Sequence, residues 1–115
     1  MKFMALIYSA EPTTEPSMEE IGEEIAKYQA FQDKHGAHLG DGEALEPSMA
    51  ATTVRVRDGE ATTTDGPFAE TKEVLGGFYI LDCADIDQAC KVAADIPGAA
   101  HGCVEVRPVM DIPEG

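Results

Sequence analysis

Phe3-Met4-Ala5-Leu6-Ile7-Tyr8 is the stretch that decides the fold. A run this short cannot span a membrane. Its apolar side chains do not alternate with polar ones, so both faces need cover, and the run reads as the central strand of a sheet. A polar segment with Pro12 and Pro16 follows. Ser17, with Glu20 three residues later, then forms a capping box, in which each side chain satisfies a backbone N–H at a helix start. Met18, Ile21, Ile25 and Tyr28 recur at helical spacing as one apolar stripe. Glu19, Glu20, Glu23 and Glu24 crowd the first turns, where the helix dipole favours anions. Gly36 is placed to end the helix in a left-handed conformation.

Further out from this pair of elements, His38 to Leu45 is a weaker strand, with Gly40 and Gly42 suggesting a bulge. Thr52 to Arg57 alternates clearly, Asp58-Gly59 supplies a two-residue turn of positive φ, and Glu60 to Thr64 returns. Such a turn sets Arg57 opposite Glu60 and Arg55 opposite Thr62, with Val54 and Val56 on the other face. Gly76 to Leu81 is another strand. Asp85 and Gln88 make a second capping box. Ile86, Ala89, Cys90, Ala93 and Ile96 form the expected buried stripe of the second helix, and Pro97-Gly98 ends it. Cys103 to Val109 is a last strand, with Val104 and Val106 alternating against Glu105 and Arg107. The order of elements is that of an α+β, ferredoxin-like βαββαβ fold with an extra β-hairpin: an antiparallel sheet carrying two helices on one face. At 115 residues the chain is expected to be one domain, 1–115, with a short frayed tail after Met110.

Two helices leave the other face of such a sheet bare. A half-apolar open face is commonly closed by a twofold copy, so a homodimer is expected, its two sheets forming a barrel around a cleft. The net charge of −14 repels phosphate backbones and anionic lipid heads, which argues against nucleic-acid and membrane-surface partners. Cys83, Cys90 and Cys103 include no CxxC pair and suit a reducing, cytoplasmic setting. No secretory leader is visible at the start.

Residues 65–73 read Asp65-Gly66-Pro67-Phe68-Ala69-Glu70-Thr71-Lys72-Glu73. Asp-Gly-Pro is turn chemistry: Gly accepts positive φ and Pro fixes the φ that follows. Phe68 is expected to plug a pocket and anchor the loop. DGPFAETKE followed by a Gly-Gly-aromatic strand resembles the signature of the DGPF group of the YCII-related family. The likeness extends to KFMALIYS, to ATTVRVRDG and to VEVRPVM, and so covers nearly the whole chain. It implies a dimeric α+β barrel, of a superfamily that includes small oxygenases and lactone isomerases, and it implies no particular reaction. Shorter members carry a His–Asp pair with the His on the first helix. This chain departs there, since no His precedes His35.

The candidate site residues follow from charge and position. Glu105 and Arg107 share a strand face and, with His101 in the loop before them, are the catalytic candidates: a carboxylate as proton acceptor and a guanidinium as anion holder. Asp65, Phe68, Glu70, Lys72 and Glu73 of the motif loop, with Arg55 of the hairpin and Tyr79 of the strand, are the ligand-binding candidates. A structural ion-pair network is the competing account of the same charges. His35, His38 and Asp41 match no metal-ligand spacing, so no metal and no cofactor is expected. Cys90 is expected in the core and Cys103 on the Glu105 face. The leading function is binding of a small polar ligand in a cleft at the dimer barrel. One alternative is a cofactor-independent isomerase, lyase or oxygenase-like enzyme using the Glu/Arg pair. Another is a structural or regulatory partner of a transcription factor, which the family resemblance brings in through genes neighbouring alternative sigma factors.

Overall fold

The computed structural model describes residues 1–113. The central strand is β1 (Lys2–Ser9), flanked by β5 (Val74–Asp82) and β6 (Cys103–Pro108), with β2 (Leu39–Ala44) outside β5. The sheet order is β2-β5-β1-β6, and every pairing is antiparallel. Helix α1 (Met18–His35) links β1 to β2, and α2 (Ile86–Ala93) links β5 to β6. This is the expected ferredoxin-like α+β arrangement. The extra hairpin, β3 (Thr52–Arg57) with β4 (Glu60–Asp65), does not join that sheet; it stands alone as a two-stranded ribbon.

Local chemistry accounts for the boundaries. Ser17 accepts the Glu20 backbone N–H at 3.1 Å and Asp85 accepts that of Gln88 at 2.8 Å, so both anticipated caps are present. Gln88 reaches back to the Ala84 N–H at 2.7 Å. Asp58 and Gly59 have φ of 51° and 79°, as a type I′ turn demands, and set Arg57 opposite Glu60 and Arg55 opposite Thr62. The register of β2 on β5 shifts between Leu39 and Gly42, where the glycines suggested a bulge. One helix end differs from expectation. Gly36 has φ −51°, not a left-handed value, and the chain tightens into a 3₁₀ turn over Gly36–His38. Past Met110 the chain holds no regular structure through residue 113, and residues 114 and 115 lie outside the described residues.

Strand alternation sorts the sheet's two faces. Phe3, Ala5, Ile7 and Leu81 turn to the helices and make the core with Phe31, Ala89, Val92, Ala93 and Ile96. Tyr79, Val104 and Val106 pack beside them. The opposite face carries Met4, Leu6, Tyr8, Phe78 and Ile80, with Cys103, Glu105 and Arg107 registered next to Tyr8, Leu6 and Met4. Among the described residues no helix packs on this face, and those five hydrophobic side chains remain half-buried, with Tyr8 bordering residues 45–53 and the motif loop. Burial corrects the stripe expected on α2 and shows how little of the α1 stripe is covered. On α2, Val92 is buried while Cys90 is exposed, because the buried stripe runs through Ala89, Val92, Ala93 and Ile96 at steps of three and four. On α1, Phe31 alone is buried, and Met18, Ile21 and Ile25 stand exposed. The long helix meets the core only near its C-terminal end.

The chain is flat. Its extents are 48 × 47 × 19 Å, and its radius of gyration is 16.4 Å. A closed globule of this length has about 13 Å. The excess reflects the free ribbon and the lifted N-terminal half of α1. Among the described residues no helix is long and apolar enough to cross a membrane.

Candidate functional site: the groove beneath the first helix

Because α1 meets the core only at its far end, its N-terminal half overhangs the sheet and leaves a groove of about 960 Å³. Ile21, Ile25 and Tyr28 form the helix wall, Gly42 to Leu45 the β2 wall, and Ile7, Gly76 and Gly77 the floor. Gly98 closes the inner end. A Cβ there would meet Ile7 Cγ2 at 2.7 Å and the Tyr28 hydroxyl at 3.1 Å, so only glycine allows the phenol to sit where it does. Burial pushes the Tyr28 phenol up from its ordinary pKa, partly offset by a hydrogen bond from the Gly98 backbone. It is therefore a neutral hydroxyl near pH 7. Beside it Gln32 Nε2 donates to the Tyr79 hydroxyl at 3.1 Å, and the Tyr79 ring lies 5.3 Å from that of Phe31. The groove thus combines apolar walls with a few fixed polar groups, the usual make-up of a small-molecule site. Its charged lining is Glu20, Glu24 and Glu43, with no Lys or Arg.

A second crevice, of about 640 Å³, runs between the motif loop and residues 45–53. Gly66, at φ 93°, is fixed there by its N–H to the Ala51 carbonyl at 2.7 Å and by Thr53 Oγ1 donating to its own carbonyl at 2.9 Å. Thr71 Oγ1 donates to the Glu73 carbonyl. The DGPF loop is thereby tied to the start of β3. Phe68 lines this crevice but is 80 % exposed, so it does not plug a pocket of its own chain as expected.

The candidate residues fall in four places. Tyr79 lies in the groove, facing the helices. Phe68 and Glu73 line the crevice. Glu105 and Arg107 stand exposed on the bare sheet face, and Cys103 with them. Asp65 ends β4 opposite Thr52, Arg55 is out on the ribbon, and Glu70, Lys72 and His101 are exposed loop residues whose side chains line neither cavity. Among the described residues none of these charges forms an ion pair within the chain.

Sequence reasoning missed Asp95. His35, in the last turn of α1, contacts Asp95 Oδ2 through Nε2 at 2.7 Å, and Lys34 reaches the same oxygen at 3.1 Å. Hydrogen bonds from His35 and then Lys34 hold the Asp95 carboxyl below its usual range. The cluster clamps the two helix ends together and lines neither cavity. His38 turns elsewhere, to the Asp82 carbonyl at 3.0 Å, and among the described residues no three metal-binding side chains gather. Glu11 is likewise held low, by the Ser48 backbone N–H and hydroxyl. A carboxyl whose pKa is lowered on folding stabilises above its unfolded value, and that contribution fades as pH falls through the folded one. The protein should therefore lose stability on acidification below about pH 4, where ordinary carboxyls protonate. Asp95→Asn should flatten that acid limb in melts recorded from pH 6 to pH 3. An unchanged limb would remove the clamp from the explanation.

A ferredoxin-like α+β chain, with helices on one face of an antiparallel sheet and a ligand-sized groove under its first helix, defines the class of fold. Within it, the chain belongs to the YCII-related domain family, whose model matches residues 1–113. It is 40 % identical over 114 residues, covering 95 % of this chain and 92 % of the other, to an uncharacterised protein of Rhizobium meliloti (strain 1021). Among solved structures it resembles the 5-chloro-2-hydroxyhydroquinone dehydrochlorinase of Burkholderia phenoliruptrix AC1100 in complex with 2,5-dihydroxybenzoquinone. That likeness has a TM-score of 0.52 at 15 % identity, covers 96 % of this chain and 94 % of that one, and bears on the fold.

Proposed function

We propose that the protein is a homodimeric small-molecule-binding protein whose ligand has an apolar, ring-sized body and is neutral or cationic. The observation that carries this is the groove: about 960 Å³ of space with Ile21 and Ile25 left uncovered on its wall, a neutral Tyr28 hydroxyl and the Gln32–Tyr79 pair at its inner end, and carboxylates alone as its charges. An anionic ligand would meet Glu20, Glu24 and Glu43 with no cation to offset them. The dehydrochlorinase neighbour, solved with a hydroxylated quinone, supports a small oxygenated ring as a shape the fold can hold.

The bare face is assigned to the twin. Glu105 and Arg107 lie two apart on β6 at that face, so an antiparallel copy brings Glu105 of one protomer to Arg107 of the other. These residues then serve assembly, and catalysis by the Glu105–Arg107 pair with His101 becomes the less favoured use of them, since His101 is exposed and lines neither cavity.

Tyramine, hydroquinone and benzoate serve as cationic, neutral and anionic probes of matched size in calorimetry and thermal-shift measurements. Binding is expected in the order tyramine, hydroquinone, benzoate. Ile25→Arg, which lays a long side chain across the groove, should weaken tyramine at least tenfold. Tyr28→Phe should weaken it about threefold to tenfold, the worth of one hydrogen bond. Benzoate binding best, or Ile25→Arg without effect, would overturn the assignment.

A further inference from the structure

Beyond its base, where Thr53 and Ala51 are tied to Gly66, the β3–β4 ribbon pairs with no other strand among the described residues. Eleven of its twelve strand residues are exposed, including Val54 at 61 % and Val56 at 58 %. A lone two-stranded hairpin is at best marginal in water, yet this one carries well-formed register along both strands and a type I′ turn. Its two faces differ. Val54, Val56, Ala61 and Thr63 share one; Arg55, Arg57, Glu60 and Thr62 share the other. A ribbon with one apolar face and no cover is an unfinished contact.

We propose that this ribbon is a dimerisation arm: its Val54–Val56–Ala61 face lies against a second copy of the chain. The inference rests on the homodimer proposed above and adds the part that holds it. Three observations favour a twin over another partner. The first is continuity. The arm's base borders the bare sheet face, since the crevice beneath it is lined by Tyr8 and Leu75 of that face together with Thr52 and Thr53. A copy laid on the face comes within reach of the arm, which at six residues per strand extends about 20 Å.

The second is area. Four strands spaced about 4.8 Å apart and about 20 Å long offer a patch of roughly 400 Å², whereas a stable interface takes about 800 Å² from each partner. The sheet face alone falls short, and two arms exchanged by the twofold supply much of the difference. The third is charge. The chain as a whole carries −14, which opposes self-association, but residues 52–65 carry only −1 and hold two of its three arginines. The arm is the part of this surface that an acidic copy repels least, because Arg55 and Arg57 on its outer face offset most of the charge of Asp58, Glu60 and Asp65. Met49, Phe68 and the hairpin valines, exposed at 85 %, 80 % and about 60 %, would lie along the same seam.

The test combines sedimentation velocity with amide hydrogen exchange on the full chain, wild type against Val54→Asp/Val56→Asp. The paired change sits on exposed ribbon positions, and unchanged far-ultraviolet circular dichroism together with unchanged exchange in β1 and β5 verifies that the body still folds. Wild type should be a dimer at 20 µM, with β3 and β4 amides protected and that protection fading on dilution. The variant should dissociate at least thirtyfold more readily and lose the protection. A variant that dimerises as tightly as wild type, or arm amides that exchange freely in the dimer, would overturn the arm while leaving the homodimer standing. A wild type that is monomeric at 200 µM would overturn both. Should the arm be protected in a monomer, some contact within the chain covers it and the second copy is wrong.

Discussion

Replacing Gly102 with alanine is expected to cost about 3 kcal/mol or more of folding stability, the sum of severe overpacking and of ladder hydrogen bonds lost beside it. A Cβ on Gly102 would fall onto the Tyr8 carbonyl oxygen, with Ser9 Cα and Tyr8 C at 2.9 Å. All three are backbone atoms of β1, so no side-chain rotation relieves the clash. The start of β6 must move off the central strand, which disturbs the Tyr8–Cys103 and Ile7–Val104 pairs. Those pairs bring Val104 under the helices and Cys103 to the bare face. At about 4 °C per kcal/mol for a domain of this size, the melting temperature should fall by about 12 °C. Gly36→Ala is the control, since its backbone is helical and no atom lies within 4 Å of an added Cβ. A Gly102→Ala melt within 3 °C of wild type would mean that β6 does not approach β1 so closely.

Leu6→Arg should convert the homodimer proposed above to a folded monomer. Leu6 lies mid-strand on the bare face, between Phe78 on β5 and Glu105 on β6. In a single chain it is half-buried, so an arginine can turn its head to water at little cost to the fold. Beneath a twin, the same head would be sealed in twice, once from each protomer, next to Met4 and Ile80. Central interface positions commonly carry 2 kcal/mol or more, and an unpaired buried charge adds to that. The dissociation constant should rise at least a hundredfold, read as the mass of one 12.2 kDa chain in light scattering at 10 µM. Persistence of the dimer would show that the sheets do not meet through this face.

Strand alternation and capping made most of the fold legible. The uninterrupted run Phe3 to Tyr8 placed the central strand, and Ser17/Glu20, Asp85/Gln88 and Asp58-Gly59 marked two helix starts and a turn by local chemistry that tertiary context did not override. What local pattern could not give was distance between segments. Ile21 and Ile25 read as part of an apolar stripe, and periodicity reports which side of a helix is apolar, not whether anything lies against it. In this chain that stripe overhangs the sheet and becomes the groove wall. Cys90 and Val92 differ by a fraction of a turn, and only the packing of α2 chose between them. The motif loop drew attention to Phe68, Glu70 and Lys72 because they are distinctive in sequence, yet the larger cavity formed from commonplace residues on α1 and β2. Asp95 had no local signal at all; its partner lies sixty residues away.

The measurement that bears most directly on the proposed site is a ¹⁵N chemical-shift titration of the protein with tyramine. The groove predicts that the amides of Gly42, Gly76, Gly77 and Gly98 move together and saturate, while those of Leu6, Glu105 and Arg107 stay in place. Saturable shifts confined to Leu6, Glu105 and Arg107, with the four glycines unmoved, would put the ligand on the bare sheet face and contradict it.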